Sequence, residues 1–182
     1  MIIVGQATGA TLAMMIATEL KSAVKGLLLA QPAVAIAPTV NQLVQQQVRA
    51  STQFVSREHA RQSLPFCERW SDAVIEHYLD HILKLHSQGG YQWNFSADGV
   101  CETEAQLMRD ILPIVDYAGP ALVFGGAQST VLPTSMFERV AAHLPGSTLD
   151  SLPNANHRLC QDNPTGFARK LDYFLDLKQV NS

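Results

Sequence analysis

A glycine-flanked turn near the start of the chain, Gly5-Gln6-Ala7-Thr8-Gly9, constrains the fold more than any other feature. Four apolar residues precede the turn and predict a short, buried strand over residues 1–4. Apolar residues at helical spacing follow it and predict a helix over residues 10–20. We expect glycine on both sides, because a Cβ atom at either position would clash in so tight a turn. The stretch therefore predicts a strand, a sharp turn and a helix in direct succession.

Short apolar runs recur on both sides of a long polar segment. Leu27–Ala30 and Ala121–Phe124 show no alternation of apolar and polar residues, and a further short strand is expected at Thr148–Leu152. Runs without alternation are typical of strands covered on both faces in a parallel sheet. A final amphipathic helix is expected from Pro164 onward. These runs predict an α/β fold with a parallel sheet.

The segment between these runs has a different composition. Glutamines and arginines alternate with isolated apolar positions, and no strand signal appears. Three helices are expected there, over residues 40–56, 68–86 and 102–112. An extended aromatic stretch at 91–95 separates the second helix from the third. The predicted organisation is an α/β core at 1–37 and 114–182, with a helical insertion at 38–113.

Charge and cysteine content exclude several classes of protein. The formal net charge is −3 and lysines and arginines do not cluster, so nucleic-acid binding is not expected. The three cysteines form no CxxC pair, which argues against a disulfide framework or a zinc site, and reduced thiols predict a cytoplasmic protein. Residues 1–18 are apolar but lack a basic start, so neither a targeting segment nor a membrane span is expected.

Two later segments accompany the turn in a fixed order. Phe124–Pro133 follows one predicted strand, and Leu152–His157 follows the next, with Asn163-Pro164 and Phe174-Leu175 further on. Together with the turn, they resemble the nucleophile elbow, the acid loop and the histidine loop of the α/β-hydrolase fold superfamily. The resemblance covers nearly the whole chain. It implies the parallel half-sheet of that fold, from the elbow strand onward, with the helical insertion as its cap.

The resemblance also assigns residues to the positions of a catalytic triad. Ala7 occupies the nucleophile slot, Ser129 the acid slot and His157 the base slot. Thr130 takes the acid slot if the loop is shifted by one residue, and Gln31 takes it where the acid follows the preceding strand. None of these candidates is a carboxylate, and alanine has no oxygen with which to attack. A histidine without both partners does not form a working triad.

Three functions remain open from these assignments. The first is hydrolysis of a small ester, thioester or carbon–carbon substrate, inactive or impaired in this chain, with the Thr8 backbone N–H in the oxyanion hole. The second is a non-catalytic protein that retains the cleft to bind a small-molecule ligand or a partner. The third and lesser one is lyase or cofactor-free chemistry that uses His157 as a base without a serine.

The start of the chain at the elbow strand bears on its partners. Members of the superfamily have several strands before this one, and one of their loops supplies a second oxyanion donor. Without those preceding strands, the elbow strand would be an uncovered edge of the sheet, and such an edge is prone to pair with another strand. We expect a fragment, a truncated reading frame, or a chain that pairs along this edge with a second copy or a partner chain.

No cofactor is implied by any of these motifs. His77 and His81 lie one helical turn apart and could form a metal pair, with Glu76 and Asp80 nearby. Histidines at this spacing on a cap helix are more often ordinary surface residues. We therefore expect no metal site.

Overall fold

The computed structural model describes residues 1–50, 52–64 and 67–179, and for residues 177–179 it describes the backbone alone. The chain forms two compact units, one of Met1–Ile36 with Arg109–Ser182 and one of Ala37–Met108. The second unit ends before residue 113, the expected end of the insertion, because the short 3-10 helix Leu112–Ile114 belongs to the first unit.

Strands and helices are interspersed along the described part of the chain. In chain order they are β1 Ile2–Gln6, α1 Thr8–Leu20, β2 Gly26–Ala30, α2 Pro38–Ala50, β3 Gln53–Phe54, α3 Arg57–Gln62, α4 Asp72–Ile82, β4 Leu83–Leu85, β5 Tyr91–Trp93, α5 Ala97–Gln106, β6 Ala121–Gly126, α6 Thr134–His143, β7 Ser147–Leu152, α7 Leu159–Asp162 and α8 Pro164–Gln179. A second 3-10 turn covers Lys21–Ala23.

The first unit contains a parallel sheet of four strands in the order β1-β2-β6-β7. The two central strands, β2 and β6, are buried along their whole length, as their uninterrupted apolar runs predict. Both are joined to their neighbours in parallel register, with Gly5 beside Leu29 and Ala30 beside Phe124. The parallel α/β architecture expected from the sequence is confirmed.

The first strand differs from its prediction as a buried strand over residues 1–4. It extends to Gln6, and Val4 is 45% exposed. Within the part of the chain that the structure describes, β1 pairs with β2 alone, so its outer side has no neighbouring strand to cover it. Pairing of this edge with a second copy or a partner chain stays a prediction.

The core of the first unit lies against the central strands. Leu28, Phe124 and Phe174 belong to one buried cluster, which joins β2, β6 and α8. Phe167 and Leu171, also on α8, are partly buried against it, so the amphipathic face expected after Pro164 is confirmed.

The second unit contains a small sheet in which strands β3, β5 and β4 pair antiparallel in that order. Strand β5 lies within the extended stretch expected at 91–95, whereas β3 and β4 were not expected from the sequence. The helix expected over 68–86 covers Asp72–Ile82 only and gives way to β4, which pairs with β5 across a turn. Gly89 and Gly90 form that turn with positive φ angles of 95° and 75°. These strands are too short to produce a clear alternating pattern.

The other two helices of this unit are also shifted from their expected bounds. The first ends at Ala50 instead of residue 56, and the third covers Ala97–Gln106 instead of 102–112. Aromatic packing stabilises the small sheet, with the rings of Phe54 and Trp93 at 4.5 Å. No helix among the described residues has the length and apolarity needed to cross a membrane.

The space available for a Cβ atom differs between the two glycines of the turn after β1. A Cβ atom built on Gly5 would lie 2.3 Å from the carbonyl oxygen of Gly9 and 2.7 Å from the nitrogen of Ala10. A Cβ built on Gly9 meets nothing within 4 Å beyond its own helix. The expectation that both glycines are sterically required is therefore wrong for Gly9.

Substitution of the two glycines by alanine separates these cases. We expect Gly5→Ala to lower the free energy of unfolding by about 3 kcal/mol, because only a movement of α1 away from β1 relieves the backbone clash. Gly9→Ala is the matched control and is expected to be neutral or to stabilise by up to ~1 kcal/mol, because alanine favours a helix. Urea unfolding followed by circular dichroism measures both. Equal losses in the two variants would contradict this packing.

Candidate functional site

Ala7 lies at the tip of a strained turn between β1 and α1. Its backbone has φ 50° and ψ −120°, a conformation that residues other than glycine rarely adopt. Its N–H donates to the carbonyl oxygen of Ala30 at 2.9 Å, and its own carbonyl accepts from the N–H groups of Ala10 and Thr11. These bonds attach the tip to β2 on one side and to α1 on the other. The turn therefore has the sharp strand-to-helix geometry of a nucleophile elbow, with a methyl group at its tip.

The start of α1 provides backbone donors beside this tip. Thr8 and Gly9 are the first two residues of the helix, and helix geometry gives their N–H groups no acceptor within the helix. The helix dipole adds partial positive charge at this end. Thr8 is thus located where an oxyanion donor would be required, and that role stays a prediction.

His157 lies in the loop that follows β7, immediately before α7. It is half-buried, and its Nδ1 atom is shielded from solvent without a hydrogen-bond partner among the described residues. Burial, with a smaller contribution from the charge of Arg158, lowers the pKa of His157 to about 4, and Asp162 acts weakly in the opposite direction. The imidazole is therefore neutral at pH 7.

The three positions considered for the acid, Ser129, Thr130 and Gln31, hold polar, uncharged side chains. Ser129 follows β6, and its hydroxyl donates to the carbonyl of Leu132 at 3.1 Å, with a longer contact of 3.4 Å to Gln31 Oε1. Gln31 follows β2, is fully buried, and has a positive φ of 52°. Its side-chain amide donates to the carbonyl oxygen of Asn156 at 2.7 Å. None of the three gives His157 Nδ1 a hydrogen bond.

Two glutamines hold the histidine loop against the ends of the strands. The Gln31 amide bonds the carbonyl of Asn156, and the Gln6 amide bonds the carbonyl of the next residue, His157, at 3.2 Å. The acid loop contributes as well, because the N–H of Thr130 donates to Asn156 Oδ1 at 3.1 Å. The elbow, the acid loop and the histidine loop therefore meet at one edge of the sheet.

The end of β6 approaches this loop closely. A Cβ atom built on Gly126 would lie 2.1 Å from the carbonyl oxygen of Asn156, so the strand and the loop are in backbone contact there. The N–H of Gln128 also donates to the carbonyl of Ala155 at 3.0 Å. The position of His157 is fixed by backbone and amide contacts.

Solved structures of other proteins share this arrangement. No protein-family model matches the sequence, and no curated protein matches it. An E-2-(acetamidomethylene)succinate hydrolase superposes with a TM-score of 0.84 at 18% identity, covering 96% of this chain and 66% of that one. A peroxisomal alpha-beta-hydrolase from Saccharomyces cerevisiae gives 0.76 at 13% identity, covering 100% and 53%. The chain has the α/β-hydrolase fold.

A third similar structure, a marine microorganism esterase, gives a TM-score of 0.69 at 22% identity. The superposition covers 95% of this chain and 69% of the esterase. The chain thus spans between about half and two thirds of the length of these three structures.

Most of the expected site residues come together in this α/β-hydrolase fold. Ala7, Ser129 and His157 all follow the carboxyl ends of parallel strands, and Gln31 does too. The catalytic roles of these four residues stay predictions. Asp116, a carboxylate that was not expected at the site, precedes β6 at the opposite end of the sheet and forms an exposed ion pair with Lys21.

In the histidine loop the left-handed backbone lies at Asn154, with a φ of 55°, and not at Asn156. Asn156 instead joins the loops, since its N–H donates to Asp162 Oδ2 at 2.7 Å. The Asp162 carboxylate therefore contacts the backbone of the histidine loop.

Sequence reasoning also missed Gln6 and Cys160. Gln6 precedes the elbow tip, and its Oε1 accepts from the Cys160 thiol at 3.3 Å while its amide bonds His157. Burial raises the pKa of the Cys160 thiol. The only sequence signal for Gln6 is its place inside the glycine-flanked turn, and nothing in the sequence indicates Cys160.

The low pKa of His157 predicts a pH-dependent contribution to stability. Its folded pKa of about 4 lies below the unfolded value of 6.5, so the unfolded chain binds more protons in this window. Stability is present above pH ~6.5 and is lost as the pH falls toward 4, by at most about 1.4 kcal/mol per pH unit. His157→Gln is expected to remove this loss. Urea unfolding at a series of pH values compares the two chains, and parallel curves would contradict a buried, neutral His157.

Proposed function

We propose that this chain is an α/β-hydrolase-family protein whose hydrolytic site is impaired by the loss of its nucleophile and its acid. The parent activity is hydrolysis of a small ester, thioester or carbon–carbon substrate. Support comes from structurally similar proteins that are a succinate-derivative hydrolase, an esterase and a thioesterase domain. The single observation that carries the proposal is the methyl group of Ala7 at the tip of a strained elbow.

The parent mechanism follows from the positions of the loops. A serine at position 7 would attack the carbonyl carbon of the substrate, and His157 would accept its proton. The N–H of Thr8 would stabilise the oxyanion of the tetrahedral intermediate. A carboxylate at position 129 would orient His157 through Nδ1 and stabilise the imidazolium. In this chain the first and the last of these groups are missing.

The second candidate function is ligand binding without turnover. It is favoured by the retention of the site's framework, because Gln6 and Gln31 still fix the histidine loop although the chemistry is incomplete. The backbone donors of α1 would then bind an acyl carbonyl or a carboxylate of a small molecule. Binding of a short-chain ester or acid that shifts the Thr8 amide resonance, without hydrolysis, would favour this candidate over a merely degenerate enzyme.

Chemistry that relies on His157 alone is the weakest candidate. A base is most effective when its pKa lies near the working pH, and the pKa of His157 is about 4. Its Nδ1 has no hydrogen-bond partner among the described residues to fix its tautomer. Both features disfavour serine-independent proton transfer.

Restoration of the two missing groups tests the proposed function. We expect the natural chain to hydrolyse p-nitrophenyl acetate at the background rate and Ala7→Ser with Ser129→Asp to exceed it by about 100-fold, since general-base catalysis contributes 10²–10⁴-fold. Adding His157→Gln to the restored pair is the control and is expected to abolish the gain.

Two results would contradict the proposal. One is a restored double variant that folds, as judged by circular dichroism, and still shows only background hydrolysis. The other is hydrolysis by the natural chain that disappears in His157→Gln, which would establish the serine-independent route instead.

A further inference from the structure

Helix α4 carries two histidines on its exposed side, one helical turn apart. His77 and His81 are both solvent-exposed, and their ring centres lie 4.4 Å apart with an angle of 47° between the planes. Residues four apart on a helix face the same way, so both imidazoles are available to one ion. The pair lies within the second unit, and the site at the sheet edge is built from residues of the first unit alone.

A backbone contact fixes the tautomer of one ring. His81 Nδ1 lies 2.7 Å from the carbonyl oxygen of His77. Because a carbonyl oxygen can only accept, Nδ1 carries the hydrogen, and in the neutral ring Nε2 then holds the lone pair. Metal-binding histidines commonly donate their second ring N–H to a carbonyl in this way, which fixes the ring orientation. His81 is therefore already arranged as an Nε2 ligand.

The spacing of the rings fits two neighbouring positions around one metal ion. With a metal–nitrogen distance of about 2.1 Å, the centre of a coordinated imidazole lies about 3.2 Å from the ion. Two imidazoles whose metal–nitrogen bonds meet at a right angle then have their ring centres about 4.5 Å apart. If the two metal–nitrogen bonds met at the tetrahedral angle, the ring centres would be about 5.2 Å apart. The observed separation of 4.4 Å between the ring centres matches a right angle between the two bonds. Octahedral and square-planar ions have this angle, and imidazole suits Ni²⁺ and Cu²⁺.

The neighbouring carboxylates have other partners. Glu76 accepts from Arg57 and Arg61, and Asp80 forms an ion pair with Arg57. No group of three or more metal-ligating side chains occurs among the described residues. Water would therefore complete the coordination of an ion held by the two imidazoles.

Against the expectation from the sequence that this pair holds no metal, we propose that His77 and His81 form a two-histidine site for Ni²⁺ or Cu²⁺ on helix α4. The ion bridges one turn of the helix, close to Ile82, where α4 ends and β4 begins. Binding to the folded helix stabilises this turn, because the unfolded segment holds the two rings in no fixed geometry.

Titration of the tag-free chain with Ni²⁺ tests this site, and Ni²⁺ is chosen because Cu²⁺ oxidises free thiols. Calorimetry is expected to give one ion per chain. His77→Gln and His81→Gln should each weaken binding by at least about tenfold, because the second contact acts at a high effective concentration. His86→Gln is the matched control, since His86 instead contacts Gln53, and it should bind Ni²⁺ as the natural chain does.

Three results would overturn the proposal. They are no binding of Ni²⁺ by the natural chain, an affinity in the His77 and His81 variants equal to that of the natural chain, or a loss of affinity in His86→Gln as large as in those two variants. Glutamine favours a helix and both positions are exposed, so the variants are expected to fold. Circular dichroism checks this, and its outcome does not depend on any activity at the sheet edge.

Discussion

The parallel register of β1, β2, β6 and β7 is the constraint on which the site depends. Parallel strands place all their carboxyl ends at one edge of the sheet, so the segments that follow them meet there although they are far apart in sequence. Gln6 and His157 are 151 residues apart along the chain and are joined by a hydrogen bond. The buried strands β2 and β6 supply the rigid centre of this arrangement.

The backbone framework of the site is in place, although positions 7 and 129 hold alanine and serine. The elbow keeps a strained backbone at Ala7, a cost of about 1–3 kcal/mol that is normally tolerated where a nucleophile must be presented. Buried Gln31 holds the histidine loop, yet its amide donates to a backbone carbonyl, and His157 Nδ1 has no hydrogen-bond partner among the described residues. Backbone and glutamine amide contacts therefore fix the histidine loop without a carboxylate beside the imidazole.

The sequence was informative where burial was complete or where a motif has a fixed order. The uninterrupted runs at Leu27–Ala30 and Ala121–Phe124 predicted the central strands, and the order of the three loops predicted the fold. Strands of two or three residues, such as β3 and β4, give no periodic signal and were missed. The contacts of Gln31 were not predictable, since a glutamine gains a partner 125 residues away only through the fold.

The central claim is that the acid loop lies beside a His157 ring whose Nδ1 has no hydrogen-bond partner among the described residues. NMR titration of the His157 ring in Ser129→Asp tests this claim most directly. A carboxylate beside Nδ1 favours the imidazolium, so the account predicts that the pKa of His157, about 4 in the natural chain, rises by at least ~1 unit. Ser151→Asp, at an exposed position on β7, is the control and should leave it unchanged. An unchanged pKa of His157 in folded Ser129→Asp would contradict the account.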